Sequence, residues 1–285
     1  MVGEARGEPA AAIEALVDTA CYPLLEPESA TVRRAITEAR AALAATGECT
    51  LRGFLRPEGV AACVAEVVPS MAGLAYRHAR RHNAWFTDDD PPLAPDHPAR
   101  ARLETANWAL TADRLAGTAI ARIYEWPPLA DTLAAILDVP ALYPMADPLA
   151  RLNVMGYGAG DGIGWHFDRA RFTVTLLLQA AEAGGVFEYR PSLRTAEDPN
   201  YEGVGRVLEG RDPDVRRLAL APGDLNLFIG QNALHRVTPV EGGRMRLIAV
   251  LSFAERPGVT FTPADRRRFY GRAEAGDTGP GEWHP

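Results

Sequence analysis

Two histidines and an aspartate stand in this 285-residue sequence where they could share one metal ion. In Gly164-Trp165-His166-Phe167-Asp168 an imidazole and a carboxylate lie two residues apart, and in extended backbone such residues share a face. A strand-like run from Phe172 to Gln179 follows at once. The second imidazole, His235, comes later, in Ala233-Leu234-His235-Arg236-Val237-Thr238-Pro239. Two neutral imidazoles and one carboxylate hold a redox-active iron on one face and leave three adjacent positions open. Such a centre can take a chelating 2-oxo acid and dioxygen, and can attack an unactivated C–H bond. The assignment from spacing is His166, Asp168 and His235.

A dicarboxylate cosubstrate also needs its far end held by a fixed cation, and a guanidinium grips a carboxylate through two parallel hydrogen bonds. Arg244 and Arg246 follow His235 by nine and eleven residues and open the apolar run from Leu247 to Phe253. Both are expected on one face of that strand, pointing inward, with Arg244 slightly ahead. Thr173 and Thr175 share a face of the strand after His-x-Asp and offer hydroxyls. By alternation Arg151, Asn153, Trp165 and Ser252 are expected to line the substrate pocket, an aromatic surface and a cation suiting an amino acid's body and carboxylate. A lone His-x-Asp is a weak signal. Strand texture, a Pro222-Gly223-Asp224 turn before the second His, and Arg at a strand head narrow it.

The bulk composition fits a folded chain, with 47% hydrophobic and 24% charged residues. A net charge of −7 argues against nucleic acid or an anionic membrane as the main partner. All 30 basic residues are Arg, which the base composition of a GC-rich genome explains more simply than function. No apolar run approaches a membrane span and no signal peptide is evident, so a cytoplasmic location is expected. Cys21, Cys49 and Cys63 are odd in number and widely spaced, which reads as buried thiols rather than disulfides or a zinc framework.

Elements that would position the site read as follows. The first ten residues are expected to be disordered. Thr31 to Ala45 predicts a helix with Thr31 as its cap and Gly47 as its stop. Glu48 to Leu55 reads as a strand, and a second helix starts at Pro57 and ends near Pro69. Residues 82–100, with four prolines and Asp88-Asp89-Asp90 as a solvated turn, read as a long loop and a candidate lid. His78, His82 and His97 read as structural or surface groups, and Trp108 and Trp126 as core. Residues 100–146 read as mainly helical. Short strands and tight turns then run to about residue 260, over 151–155, 172–179, 185–190, 215–220, 225–229 and 247–253. The alternating glycines from Gly156 to Gly164 read as a flexible turn by the metal. Residues 190–214 read as a polar insertion. The expected organisation is one α+β domain over 1–285: a helix-rich part 31–146, a jelly-roll core of about 149–260 and a tail 261–285.

The stretch from Arg151 to Gly258 resembles the iron(II)/2-oxoglutarate-dependent oxygenases, whose fold is a double-stranded β-helix. Within them it is most similar to the BesD/HalD-type group acting on free amino acids. The resemblance rests on Gly164 to Asp168 with Phe172-Thr173, on Gly184-Gly185-Val186-Phe187-Glu188, on Pro222-Gly223-Asp224, and on Leu234 to Pro239 through Arg246. The loop Asn83 to Arg100 also resembles that group's N-terminal half. The resemblance implies Fe(II), 2-oxoglutarate and O2 as cofactor and cosubstrates. Halogenases of the group carry Gly or Ala where Asp168 stands, freeing a position for chloride. A carboxylate there implies hydroxylation of a small polar molecule, a free amino acid or derivative, by a monomer or homodimer. Desaturation, cyclisation or halogenation on the same cofactors stays open, as does a cupin-like metal-binding sensor. A zinc hydrolase fits less well, for want of His-Glu-x-x-His or a general base beside the three ligands.

Overall fold

A computed structural model describes residues 13–87 and 90–276; the expected N-terminal disorder, and Asp88 and Asp89, lie outside them. Helix α1 (Ala30–Thr46) is capped by Ser29, two residues before the expected Thr31, and is closed by Gly47 at φ 79°. Strand β1 (Glu48–Leu51) is followed by α2 (Pro57–Leu74), which buries Cys63, Val67 and Met71 at helical spacing and runs on through Pro69. Strand β2 (Tyr76–His82) pairs along its whole length with β3 (Leu103–Thr111). The helical reading of 100–146 is thus corrected at its start, and only α3 (Ala119–Tyr124) and α4 (Pro127–Leu137) are α-helices there, beside a 3-10 turn at Ala112–Arg114.

A short β4 (Tyr143–Pro144) leads into the β-rich part: β5 (Leu152–Tyr157), β6 (Gly162–His166), β7 (Thr173–Gln179), β8 (Ala183–Gly184) and β9 (Phe187–Arg190). The polar insertion contains α5 (Tyr201–Leu208). Then come β10 (Arg216–Leu218), β11 (Leu225–Phe228), β12 (Leu234–Val237), β13 (Val240–Glu241), β14 (Arg246–Leu251) and β15 (Phe253–Ala254). The expected tail holds α6 (Pro263–Tyr270), with Thr262 as its cap.

Eleven strands form one antiparallel sheet in the order β1-β11-β7-β14-β5-β3-β6-β12-β9-β10, with β2 also on β3. Strand β3 pairs with β5 from Trp108 to Thr111 and with β6 at Thr105 and Ala106, so the sheet curls over along it. This is the α+β jelly-roll architecture expected from the strand texture. Alternation divides the side chains. Leu110, Val154, Val174, Leu176, Leu227 and Ala249 pack outward against α2, α3 and α4, forming the main core. The intervening residues face inward and line a cavity. Among the described residues no helix is long and apolar enough to cross a membrane. Cys49 and Cys63 are buried, whereas Cys21 is exposed, against expectation.

Tyr124, fully buried, ties the helical layer to the core. Its hydroxyl donates to Ser252 O at 2.7 Å and accepts from Met145 N–H at 2.9 Å. Tyr124→Phe would remove two hydrogen bonds and leave Met145 N–H paired with Ser252 O alone, at 3.0 Å, at about 0.5–1.5 kcal/mol for each bond lost. Urea unfolding should show a matching drop in stability; an unchanged midpoint would show that neither bond matters.

Candidate metal centre and cosubstrate pocket

His166 closes β6 and His235 lies directly opposite it on β12. The rings sit 4.1 Å apart, centroid to centroid. Each Nδ1 lies against a backbone carbonyl, Gly164 O at 2.8 Å and Ala233 O at 2.9 Å. A carbonyl only accepts, so Nδ1 carries the proton and Nε2 keeps its lone pair. Both Nε2 atoms turn to one carboxylate oxygen, Asp168 Oδ1, at 3.6 and 3.4 Å. The three donor atoms lie within 4.8 Å of one another.

Asp168 is held from two sides. Its N–H donates to Gly230 O at 3.1 Å, and its Oδ2 accepts from the Thr173 hydroxyl at 2.7 Å. That leaves Oδ1 for the imidazoles. Sequence reading missed Gly230: a β-carbon there would collide with the Asp168 carboxylate. Gly230→Ala is therefore expected to displace Asp168 and lower metal affinity by about 10–100-fold, as loss of an outer support does. Metal titration checks this; wild-type affinity would mean the carboxylate has room to shift. The glycines before His166 also act differently from expectation. Gly162 and Gly164 are strand residues, and at Gly164 a β-carbon would press on Glu104 O and Leu103 of β3.

The charges suit a cation. Burial, and then the neighbouring His235, push the His166 pKa down, keeping that ring neutral. Burial alone would raise Asp168, but His235 and His166 outweigh it and hold the carboxyl well below its usual range. A lowered His166 and a lowered Asp168 both favour the metal-binding forms, an imidazole lone pair and an ionised carboxylate.

His82 supports this wall from β2. Its Nδ1 donates to Asn83 O at 2.8 Å, so its Nε2 accepts from the Thr105 hydroxyl at 2.7 Å. Thr105 in turn accepts from Gly164 N–H at 3.2 Å. Phe86, at φ 54°, fits its ring 4.4 Å from His82 and 4.7 Å from His166. The segment after β2 therefore covers one side of the centre. Further along, Asp90 pairs with Arg100 and Arg102.

A cavity of about 320 Å³ connects the His166–Asp168–His235 cluster to Arg246. Arg246 is only 5% exposed, stands opposite Tyr157 on β5, and holds its guanidinium 5.5 Å from that ring. Its Nη1 has no hydrogen-bond partner in the protein. Arg244 falls before β14 begins, is exposed, and donates to Ala180 O and Ala181 O. The expected ranking is thus reversed: Arg246 faces the cavity and Arg244 does not. Thr173 and Thr175 both line it.

The four residues expected to line the substrate pocket divide evenly. Asn153 and Ser252 reach the cavity. Asn153 donates to Leu149 O and Leu152 O and accepts from the Tyr270 hydroxyl; Ser252 donates to Ala150 O. Arg151 and Trp165 are corrections. Arg151 lies in the bend before β5, pairs with Glu125 and covers Tyr124. Trp165 adjoins inward-facing His166 in a strand and must face the other way, where it packs with Phe167 and Leu234 beneath Arg236. Unforeseen in the sequence were the cavity residues of β2, β3 and α6: His78, Asn107, Phe269 and Tyr270.

The family model described as halogenase D (HalD) matches residues 32–262. The chain belongs to the halogenase D family. It is accordingly an enzyme of the non-haem iron(II)- and 2-oxoglutarate-dependent oxygenases. Among solved structures it is similar in fold to the non-haem α-ketoglutarate-dependent epimerase SnoN from nogalamycin biosynthesis, at 15% identity over 78% of this chain and 83% of that one, with a TM-score of 0.52. Another SnoN structure, in complex with Fe3+, α-ketoglutarate and nogalamycin RO, gives 14% identity over 78% and 84% of the chains, TM-score 0.50. AviO1 from Streptomyces viridochromogenes Tue57 gives 16% identity over 78% and 96%, TM-score 0.52. No curated protein matches. In this halogenase D family member the donor set fits iron, and the unpartnered, buried Arg246 guanidinium fits a carboxylate.

Proposed function

We propose that the chain hydroxylates an unactivated C–H bond of a small polar molecule, a free amino acid or derivative. The observation that carries this is Asp168. In a family named for halogenation, this chain has an ionised carboxylate aimed at the point between the two imidazole Nε2 atoms. A carboxylate at that point occupies the place a halide would take and repels it.

His166, Asp168 and His235 would hold the iron. Arg246 would take the far carboxylate of 2-oxoglutarate, with Thr175 on the same wall. When bound, the iron supplies oxygen activation coupled to decarboxylation of the cosubstrate. The rest is done by side chains of this chain. Thr173 fixes the Asp168 rotamer, the two carbonyls fix the imidazole tautomers, and Phe86, Phe187 and Phe228 pack their rings against the two imidazoles.

Aerobic incubation with iron(II), ascorbate, 2-oxoglutarate and pools of free amino acids tests the reading, with succinate and product mass read together. Succinate raised by one pool, with a product heavier by one oxygen atom, is expected. Succinate coupled to loss of two hydrogens would replace hydroxylation by desaturation or cyclisation. No stimulation by any pool would remove free amino acids as the substrate class.

A further inference from the structure

The cavity carries hydrogen-bonding groups that neither the metal cluster nor the Arg246 end uses. His78 on β2 and Asn107 on β3 are register partners, both inward-facing and both on the cavity wall. They are 6% and 2% exposed, and His78 Nε2 and Asn107 Oδ1 have no hydrogen-bond partner in the protein. A buried polar atom left unpaired costs about 1–3 kcal/mol, so a pair of them on one cavity wall calls for a ligand group that satisfies both. Asn107 adjoins the Trp108–Gly156 pair, and Tyr157 faces Arg246, so the polar band runs from β2 through β3 and β5 to β14. Two strand spacings separate Asn107 from Arg246, about 10 Å, so one dicarboxylate carboxyl group cannot serve both ends. The surrounding surface is mainly aromatic, Phe86, Phe261 and Phe269, the last with its ring 6.0 Å from His78, and the Arg80 guanidinium lies over the Phe86 and Phe269 rings at 4.2 and 5.1 Å.

The chemistry of the two groups restricts what sits between them. Asn107 Oδ1 accepts and cannot donate, so a carboxylate does not satisfy it. The charges acting most strongly on His78 are positive, Arg80, Arg268 and an Arg77 that is itself paired with Asp161, which disfavours an ammonium or guanidinium. Burial, reinforced by those cations, also keeps the imidazole neutral. What remains is an uncharged group offering both a donor and an acceptor.

We propose that His78 and Asn107 bind a neutral hydrogen-bonding group of the substrate, a carboxamide or a hydroxyl, and so select its side chain. This rests on the reading of the chain as a hydroxylase of small polar molecules. The test uses the iron(II)-loaded full chain and four amino-acid sets. They carry neutral polar side chains (asparagine, glutamine, serine, threonine), cationic ones (lysine, ornithine, arginine), anionic ones (aspartate, glutamate) and apolar ones (leucine, valine). The neutral polar set is expected to give the largest rise in succinate. For its best member, Asn107→Leu and His78→Phe should each raise KM by at least about tenfold, the effect of one lost hydrogen bond. Both variants should bind 2-oxoglutarate as the wild type does, which shows that they fold and keep the cosubstrate end intact.

A cationic, anionic or apolar set giving the largest response would overturn this assignment while leaving the hydroxylase reading in place. So would an unchanged KM in both variants. No response to any set, with 2-oxoglutarate still bound, would overturn both the side-chain assignment and the amino-acid substrate class. Failure to bind 2-oxoglutarate at all would overturn the functional reading itself.

Discussion

In chloride-free buffer, where no halide can take the vacated position, His235→Ala and Asp168→Ala should each abolish coupled turnover and weaken iron binding by more than 100-fold. The geometry makes this the largest effect of any substitution in the chain. The two Nε2 atoms and Asp168 Oδ1 form the one group of three such side chains, among the described residues, placed to share an ion. Loss of a mere hydrogen-bond support of a ligand already costs about 10–100-fold in metal affinity, and loss of a ligand must exceed that. The two variants should differ in one respect. His235→Ala removes a neutral donor, whereas Asp168→Ala also removes the only negative charge in the cluster and leaves the Thr173 hydroxyl without its partner. Competition for iron(II) against a calibrated chelator measures both, and circular dichroism shows whether the fold is kept. Wild-type affinity in both variants would remove these residues from the metal site.

Arg246→Ala should abolish binding of 2-oxoglutarate to the iron(II) form, and Arg244→Ala should leave it unchanged. The arginines are two residues apart and differ wholly in setting. Arg246 lines the cavity, buried against Tyr157 with an unpaired Nη1, while Arg244 is exposed and spends its guanidinium on two carbonyls. Truncating one partner of a buried, hydrogen-bonded charge pair costs about 2–5 kcal/mol, roughly 30- to 5,000-fold in Kd. An exposed arginine should count for about 0.5 kcal/mol or less. Isothermal titration under anaerobic conditions separates the two. Equal losses in both variants, or loss only with Arg244→Ala, would contradict the assignment. A metal-storing or sensing jelly roll has no need of a buried cation here, so loss confined to Arg246→Ala also discriminates against that class.

The cluster was legible because it is local. His-x-Asp sets two of its side chains on one face by strand parity, and a second histidine among strand residues completes it. Parity could have gone further: with His166 facing inward, Trp165 had to face outward, and the structure places it there. Choosing between Arg244 and Arg246 needed the first residue of β14, and strand ends are set by pairing that a sequence does not display. The β2–β3 ribbon was hidden for a different reason. Its strands are separated by about twenty residues containing four prolines, and its polar inward face, His78, Arg80, Thr105 and Asn107, lacks the apolar alternation that announces a strand. That polarity faces a cavity instead of a core. The tail gave no hint of Phe269 and Tyr270, since three arginines precede them and mask the apolar end of α6.

The most direct test of a carboxylate-filled, oxygen-inserting centre is product mass under 18O2 with chloride present in excess. The reaction uses iron(II), 2-oxoglutarate and the amino-acid set that best stimulates succinate formation. The expected product is heavier by one oxygen atom, labelled from the gas, with no chlorine isotope pattern. A product in which hydrogen has been replaced by chlorine would contradict it, because Asp168 would then not occupy the position assigned to it.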